Sequence, residues 1–211
     1  MSNLEELFDE LIDQIVEQDF AVLDYFIPEE NLKQLFQHLQ HLYAAEEMKK
    51  AGIGQAVEHE VNGQIRGDQI KWLPRASILP FEIQFNKQVN NFCHFLNRSC
   101  FLSLNDYEFH YTCYPPTTFY KKHIDQFKKD NSRVLSLIIY LNKDWQAGDG
   151  GEVVLYPEGK NEVVITPNWG KVICFRSSEM PHEVLMTNKN RYSITGWLKS
   201  VNSGNLLQLI D

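Results

Sequence analysis

The stretch that decides the fold is YEFHYTCYPPTTFYKKHID (residues 107–125), in which two β-rich segments flank a pair of prolines. Tyrosine, phenylalanine and threonine favour strands, and Pro115-Pro116 marks a turn between the two segments. Similar short segments follow, separated by clusters of Gly, Pro, Asn and Asp. The predicted strands are 107–114, 118–123, 133–141, 152–156, 162–166, 171–175, 182–186 and 191–199. Such closely spaced strands with turn signals predict a sandwich or a jelly roll.

The region before these strands, residues 1–105, has helical rather than strand periodicity. Apolar residues recur at helical spacing over 4–19, again after Pro28 as far as Leu42, and again over 80–97. A Gly- and Gln-bearing stretch, Gly52–Gly67, predicts a long loop or an open hairpin. We therefore expect one α+β domain over residues 1–211. In it, N-terminal helices and a loop at 52–67 support a double-stranded β-helix (jelly-roll) core at 106–199, and 200–211 form a tail.

The composition argues against several classes of protein. The 20 basic and 28 acidic residues give a net charge of −8 with no basic stripe, unlike a nucleic-acid-binding protein. No apolar run of about 18 residues predicts a membrane span, and the first residues do not resemble a signal peptide. The four cysteines form no CxxC pair, as expected for buried thiols in a reducing compartment. We expect a cytoplasmic protein without nucleic-acid or membrane partners.

The chemistry is concentrated around His123 and Asp125, at the end of the second β-rich segment. Side chains at i and i+2 of a strand point to the same face, so both can approach one metal ion. His182, on a later predicted strand, offers a third ligand. Two imidazoles and one carboxylate are typical of non-haem Fe(II) oxygenases, but they also suit catalytic zinc, so the ligands alone leave the metal open.

Arg191 lies nine residues after His182, beyond a predicted turn at 188–190. This turn predicts a hairpin of the strands on either side, which would carry Arg191 into the same barrel. A buried guanidinium needs an anion, and no carboxylate is evident nearby in the sequence. A dicarboxylate that chelates iron at one end and pairs with Arg191 at the other fits 2-oxoglutarate.

The order of the HxD motif, the later histidine and the arginine nine residues after it resembles the 2-oxoglutarate/Fe(II) dioxygenases. Within these enzymes, the chain resembles the hypoxia-sensing type of prolyl 4-hydroxylase and its bacterial relatives. The blocks RGDQIKW (66–72), YLNKDW (140–145) and RYSIT (191–195) resemble that branch in particular. The similarity spans roughly residues 55–199. One block departs from it: Gln126-Phe127-Lys128 stands where we expect Asn-Pro in the animal enzymes.

The resemblance implies a 4-hydroxylase of prolyl residues in a protein, which uses Fe(II), 2-oxoglutarate and dioxygen and releases succinate and carbon dioxide. Ascorbate would serve as reductant. Its protein substrate could be a translation or transcription factor. It implies His123, Asp125 and His182 as metal ligands, Arg191, Tyr140, Thr195 and Tyr114 as 2-oxoglutarate contacts, and Tyr120, Arg133, Trp197, Arg66 and Asp68 as substrate contacts.

Two other functions stay open at this point: a hydroxylase of a free amino acid or other small molecule on the same barrel, and a catalytically silent binding module. Arg133 could also pair with Asp68 instead of meeting the substrate. We expect His110 and Trp72 to be structural residues and His38 to be a surface residue.

Overall fold

A computed structural model describes residues 2–52, 63–126 and 130–201 of the chain. Most of the loop predicted at 52–67, and most of the tail predicted at 200–211, lie outside the described residues. The helices are α1 (Ser2–Gln18), α2 (Glu29–Ala44) and α3 (Pro80–Cys100). The strands are β1 (Phe20–Asp24), β2 (Lys49–Lys50), β3 (Gln69–Leu73), β4 (Asp106–Tyr114), β5 (Tyr120–His123), β6 (Arg133–Tyr140), β7 (Val153–Leu155), β8 (Val163–Ile165), β9 (Lys171–Arg176), β10 (His182–Val184) and β11 (Arg191–Lys199).

The strands form two antiparallel sheets. The larger sheet has seven strands in the order β1-β9-β6-β11-β4-β3-β2, and the smaller has four in the order β5-β10-β7-β8. Every predicted strand is present within a few residues of its expected bounds, and the predicted α+β jelly roll is confirmed. Strand β1 lies in the short apolar segment 20–27, whose composition favours a strand, whereas β2 and β3, which extend one edge of the larger sheet, were not predicted.

The three helices cover one face of the larger sheet. The side chains of β6 alternate between the two faces of this sheet. Leu135, Leu137 and Ile139 belong to the core shared with the helices, whereas Ile138 and Tyr140 face the smaller sheet. The helices contribute mainly leucine and phenylalanine to this core, including Phe8, Leu35, Phe92 and Phe95. One side of the larger sheet is thus sealed, and its other side is left to form a cavity with the smaller sheet.

The predicted hairpin around residues 188–190 is wrong. Strand β10 pairs with β5 and β7 in the smaller sheet, whereas β11 pairs with β4 and β6 in the larger one. The chain therefore crosses between sheets at this turn. His182 and Arg191 still reach one cavity, because they extend towards it from opposite walls.

In the part of the chain that the structure describes, no helix combines the length and the apolar character needed to cross a membrane.

Candidate active site

His123, Asp125 and His182 meet at one end of the cavity between the sheets. His123 ends β5 and pairs directly with His182 on β10, while Asp125 lies in the bend that follows β5 rather than on the strand itself. One ligand atom from each residue lies within 4.8 Å of the others. The Asp125 Oδ1 atom is 3.5 Å from His123 Nε2 and 3.8 Å from His182 Nε2.

Hydrogen bonds orient each of these three side chains. The Nδ1 atoms of His123 and His182 donate to the carbonyl oxygens of Lys121 and Met180, at 2.8 Å and 3.1 Å. This leaves both Nε2 atoms as acceptors directed at the gap. The Ser136 hydroxyl donates to Asp125 Oδ2 at 2.7 Å, so that Oδ1 is left for a metal ion.

The protonation states also suit a divalent cation. Burial lowers the pKa of His182 to about 4, which keeps its imidazole neutral near pH 7. Burial opposes ionisation of Asp125, but His182, His123 and the Ser136 hydroxyl outweigh it and hold the pKa of that carboxyl well below its usual range. The three donor atoms lie within 4.8 Å of one another, so together they could hold a divalent cation. The residues present therefore fit a metal held on one side only.

Arg191 is fully buried deeper in the same cavity, where it is 2% exposed. Its Nε donates to the Gly151 carbonyl at 2.7 Å, and one terminal nitrogen donates to the Tyr140 hydroxyl at 3.2 Å. Gly151 has a φ of +68° and lies against the Arg191 side chain, so this turn requires glycine. Among the described residues, no carboxylate forms an ion pair with Arg191. An uncompensated buried cation makes this end of the cavity a receptor for an anion.

The cavity that contains both features has a volume of about 410 Å³. Its lining includes every predicted site residue except Tyr140: Arg66, Asp68, Tyr114, Tyr120, His123, Asp125, Arg133, His182, Arg191, Thr195 and Trp197. Tyr140 instead lies behind Arg191, which its hydroxyl contacts. The set could therefore hold a metal with open positions at one end of the cavity and a carboxylate at the other.

Comparison with known proteins agrees with this geometry. Residues 109–199 match the family described as the 2OG-Fe(II) oxygenase superfamily. Egl nine homolog 1 of Mus musculus is 31% identical over 193 residues, which cover 84% of this chain and 46% of that protein. The chain spans about half the length of the curated relatives it matches first. A prolyl-4-hydroxylase of Pseudomonas putida is 30% identical with a TM-score of 0.83, over 92% of this chain and 100% of that one.

The chain belongs to the prolyl-hydroxylase type of 2OG-Fe(II) oxygenases. A Trichoplax adhaerens prolyl hydroxylase, in complex with a hypoxia inducible factor peptide fragment, shares the fold at a TM-score of 0.84 and 24% identity. That match covers 94% of this chain and 91% of the other. Membership of this family implies Fe(II), 2-oxoglutarate and dioxygen as reactants. The structure brings the predicted metal ligands and Arg191 together in one cavity.

The cavity mouth of this oxygenase carries a second group of predicted residues. The Tyr120 ring stacks on His123, with centroids 3.6 Å apart, and the Arg66 guanidinium lies 4.7 Å from the Tyr120 centroid. Arg66 binds both carboxylate oxygens of buried Asp68, at 2.6 Å and 2.9 Å. These contacts fix the shape of the cavity wall beside His123, one of the predicted metal ligands.

The alternative pairing of Arg133 with Asp68 is wrong. Arg133 instead donates to Glu108 at 2.7 Å and 3.0 Å, and to the carbonyl of Asp125 at 3.1 Å. Its guanidinium carbon lies 3.4 Å from the centroid of Trp197. The indole nitrogen of Trp197 is buried and has no hydrogen-bond partner.

Three residues of this site were missed from sequence. Trp72 is half exposed, and His110 is buried between Trp72 and Trp197, with ring centroids 5.1 Å and 5.6 Å away. Both line the cavity. The third residue is Ser136. The alternation of side chains along a strand could have indicated His110 and Ser136. His110 shares a face of its strand with Tyr114, and Ser136 is a lone polar residue among inward-facing positions of β6.

Proposed function

We propose that this chain hydroxylates the 4-position of a prolyl residue in a protein substrate, with 2-oxoglutarate and dioxygen as co-substrates and ascorbate as reductant. One observation carries the proposal: the open set of two histidines and one aspartate shares a cavity with the unpaired Arg191, in a chain similar along its length to a prolyl-4-hydroxylase. When bound, Fe(II) supplies the activation of dioxygen that is coupled to decarboxylation of 2-oxoglutarate to succinate.

The protein's own part is to hold and orient the reactants. His123, Asp125 and His182 hold the metal. Arg191 pairs with the distal carboxylate of 2-oxoglutarate, and Tyr140 fixes the guanidinium by its hydroxyl. Burial raises the pKa of Tyr140, so this hydroxyl remains protonated. Thr195 and Tyr114, which also line the cavity, complete the contacts to the co-substrate.

The wall at the cavity mouth receives the prolyl residue. Trp197 lines the cavity and offers an apolar surface to the prolyl ring. Arg133 holds that ring in place by stacking on it. Tyr120, fixed between His123 and Arg66, forms the opposite side, and Asp68 anchors Arg66.

The charges of the cavity favour a residue within a peptide over a free amino acid. A free amino acid carries an ammonium group, which would need a carboxylate. Among the described lining residues, Asp68 is neutralised by Arg66 and Asp125 belongs to the metal set. A prolyl residue inside a chain has no ammonium group, so it does not need a carboxylate partner in the cavity.

The free thiols support a reducing, cytoplasmic location: Cys93, Cys113 and Cys174 are buried, and Cys100 is partly so. The helices and the larger sheet share one core, which supports a single domain.

Mass spectrometry of a host lysate treated with the iron-loaded chain tests the proposal. We expect a gain of one oxygen on proline in a small set of proteins, dependent on 2-oxoglutarate and absent with His182→Ala. Oxidation of free proline alone would favour the small-molecule hydroxylase, and no 2-oxoglutarate consumption would favour the silent module. Zn(II) or Co(II) should inhibit, because these ions fill the same ligands without supporting oxygen chemistry.

A further inference from the structure

A second cavity, of about 390 Å³, lies beside the candidate active site. Residues of α2, β3, the segment 74–79, the first turn of α3 and β4 line it. Strand β4 separates the two cavities, because His110 lines the first and Tyr111, on the opposite face, lines the second. Trp72 lines both and stands as a half-exposed ridge between them.

Glu82 carries the principal charge of this second cavity, and we call the cavity the Glu82 cleft. The residue is 2% exposed. Its Oε1 accepts a hydrogen bond from the Tyr111 hydroxyl at 2.9 Å, and His38 Nε2 lies 3.8 Å from the same oxygen. Its Oε2 is buried and has no hydrogen-bond partner. A buried oxygen of this kind is costly to leave unpaired, so it is a strong acceptor for a ligand.

The surrounding charges do not neutralise Glu82. Burial lowers the pKa of His38, so that its imidazole is uncharged near pH 7. Lys71 lies at the rim, where it pairs with Glu47 at 3.4 Å. Among the described residues, no lysine or arginine forms an ion pair with Glu82. The cleft therefore offers negative charge at its base.

The rim of the cleft is apolar. Ile78 is 91% exposed and Trp72 is 50% exposed, and Pro74, Ala76 and Leu79 also contribute to the lining. A ligand that matches such a site has an apolar stem and a cationic tip. Lysine and arginine side chains have this form, since they bury their methylene groups and direct the charge at a partner.

We propose that the Glu82 cleft binds a lysine or arginine side chain of the protein substrate, on a segment that passes over Trp72 from the target proline. This inference rests on the proposed function for the identity of the ligand. It makes Glu82 a specificity-determining residue outside the catalytic cavity.

Butylammonium and 1-butanol are matched probes of the cleft, because they share an apolar stem and differ in charge. We expect the ¹⁵N-labelled full chain to bind butylammonium at least ~10-fold more tightly than butanol, as followed by the amide shifts of residues 76–82. Glu82→Gln should abolish this preference, because the amide keeps an acceptor for Tyr111 but loses the charge. The matched control is Glu47→Gln, which removes an exposed acid from the same lining and should change either affinity less than twofold.

Equal affinities of the two probes for the unaltered chain would overturn the proposal. So would an equal loss of butylammonium binding in the Glu82 and Glu47 variants, which would indicate general charge attraction. If Glu82→Gln does not fold, Ala76→Trp provides a second test. It narrows the rim without altering Glu82 and should abolish the binding of both probes, and unchanged binding would refute the location.

The probe experiment needs neither iron nor turnover, so its failure is distinguishable from failure of the hydroxylase proposal. The corresponding catalytic test uses peptides around a hydroxylated proline found in the lysate. Glu82→Gln should raise the KM ~10-fold for a peptide with lysine or arginine near that proline. It should leave the KM for 2-oxoglutarate and for a norleucine analogue unchanged. An equal KM for both peptides in the unaltered chain would contradict the cleft as a substrate site.

Discussion

Replacing Arg191 by lysine tests the anion end of the cavity most directly. Lysine keeps the positive charge but loses the planar pair of donors that matches a carboxylate. A hydrogen bond to a charged group contributes roughly 1.5–3 kcal/mol, so the KM for 2-oxoglutarate should rise about 10- to 100-fold. Because the distal carboxylate is unchanged by the reaction, the loss is equal in ground and transition states, and kcat at saturation should stay nearly constant.

The structure adds a stability cost to this substitution. The Gly151 carbonyl would lose the donor that now lies 2.7 Å away, at a cost of about 1–3 kcal/mol. The Tm should therefore fall by several degrees, at about 2–4 °C per kcal/mol for a chain of this size. Succinate formation at varied 2-oxoglutarate, with iron content and Tm measured in parallel, decides the matter. Tyr140→Phe is the matched control, because it removes only one neutral hydrogen bond from the guanidinium and should raise the KM a few-fold. An unchanged KM in folded, iron-loaded Arg191→Lys would refute the assignment of Arg191.

Further predictions concern the wall, the metal and the buried imidazole. Trp197→Ala should reduce peptide hydroxylation far more than 2-oxoglutarate binding, both measured by steady-state kinetics. An equal loss of the two would mean that Trp197 serves only packing. Ser136→Ala should weaken Fe(II) binding about 10- to 100-fold in a metal titration, because Asp125 loses the hydrogen bond that orients it. Unaltered affinity would contradict that role. Burial lowers the pKa of His110 to about 3, so the unfolded chain takes up this proton at a higher pH than the folded chain does. The free energy of unfolding should therefore fall by up to about 1.4 kcal/mol per pH unit from pH 6.5 towards 3. This dependence should be shallower in His110→Gln, as measured by urea unfolding at several pH values. An equal pH dependence in the two proteins would disprove the prediction.

Much of the fold was predictable because the strands carry their own signals. The alternation along β4 and β6 and the turns between segments are local properties, and they place each predicted strand within a few residues. The pairing of strands is not local. The turn at 188–190 looks like a hairpin in sequence, yet its two strands join different sheets, because each strand pairs with partners that lie at least 27 residues away in the chain. Strand β3 was missed for the same reason, since it is defined by pairing with β4.

The sequence could group the candidate metal ligands with Arg191, because their spacing in the chain is itself the pattern. The residues of the cavity wall could not be identified from sequence, because they come together only through the register of the larger sheet. Trp72 pairs with His110 across β3 and β4, and Trp197 lies beside them from β11. Once the Tyr114 side of β4 is known to face the cavity, the alternation along that strand identifies His110 as a lining residue. Trp72 can be identified only from the pairing of β3 with β4.

The contacts of Arg133 illustrate what register adds to spacing. Glu108, Trp197 and Ser136 occupy one row across β4, β11 and β6. Arg133 links this row to Asp125, because it pairs with Glu108, stacks on Trp197 and donates to the Asp125 carbonyl. Ser136, at the other side of Trp197 in the row, donates to the Asp125 carboxylate. The candidate metal ligand is thus held, at its main chain and at its side chain, by residues that also flank the substrate wall. Arg133 thus connects the cavity wall at Trp197 with the candidate metal ligand Asp125, although these residues are far apart in sequence.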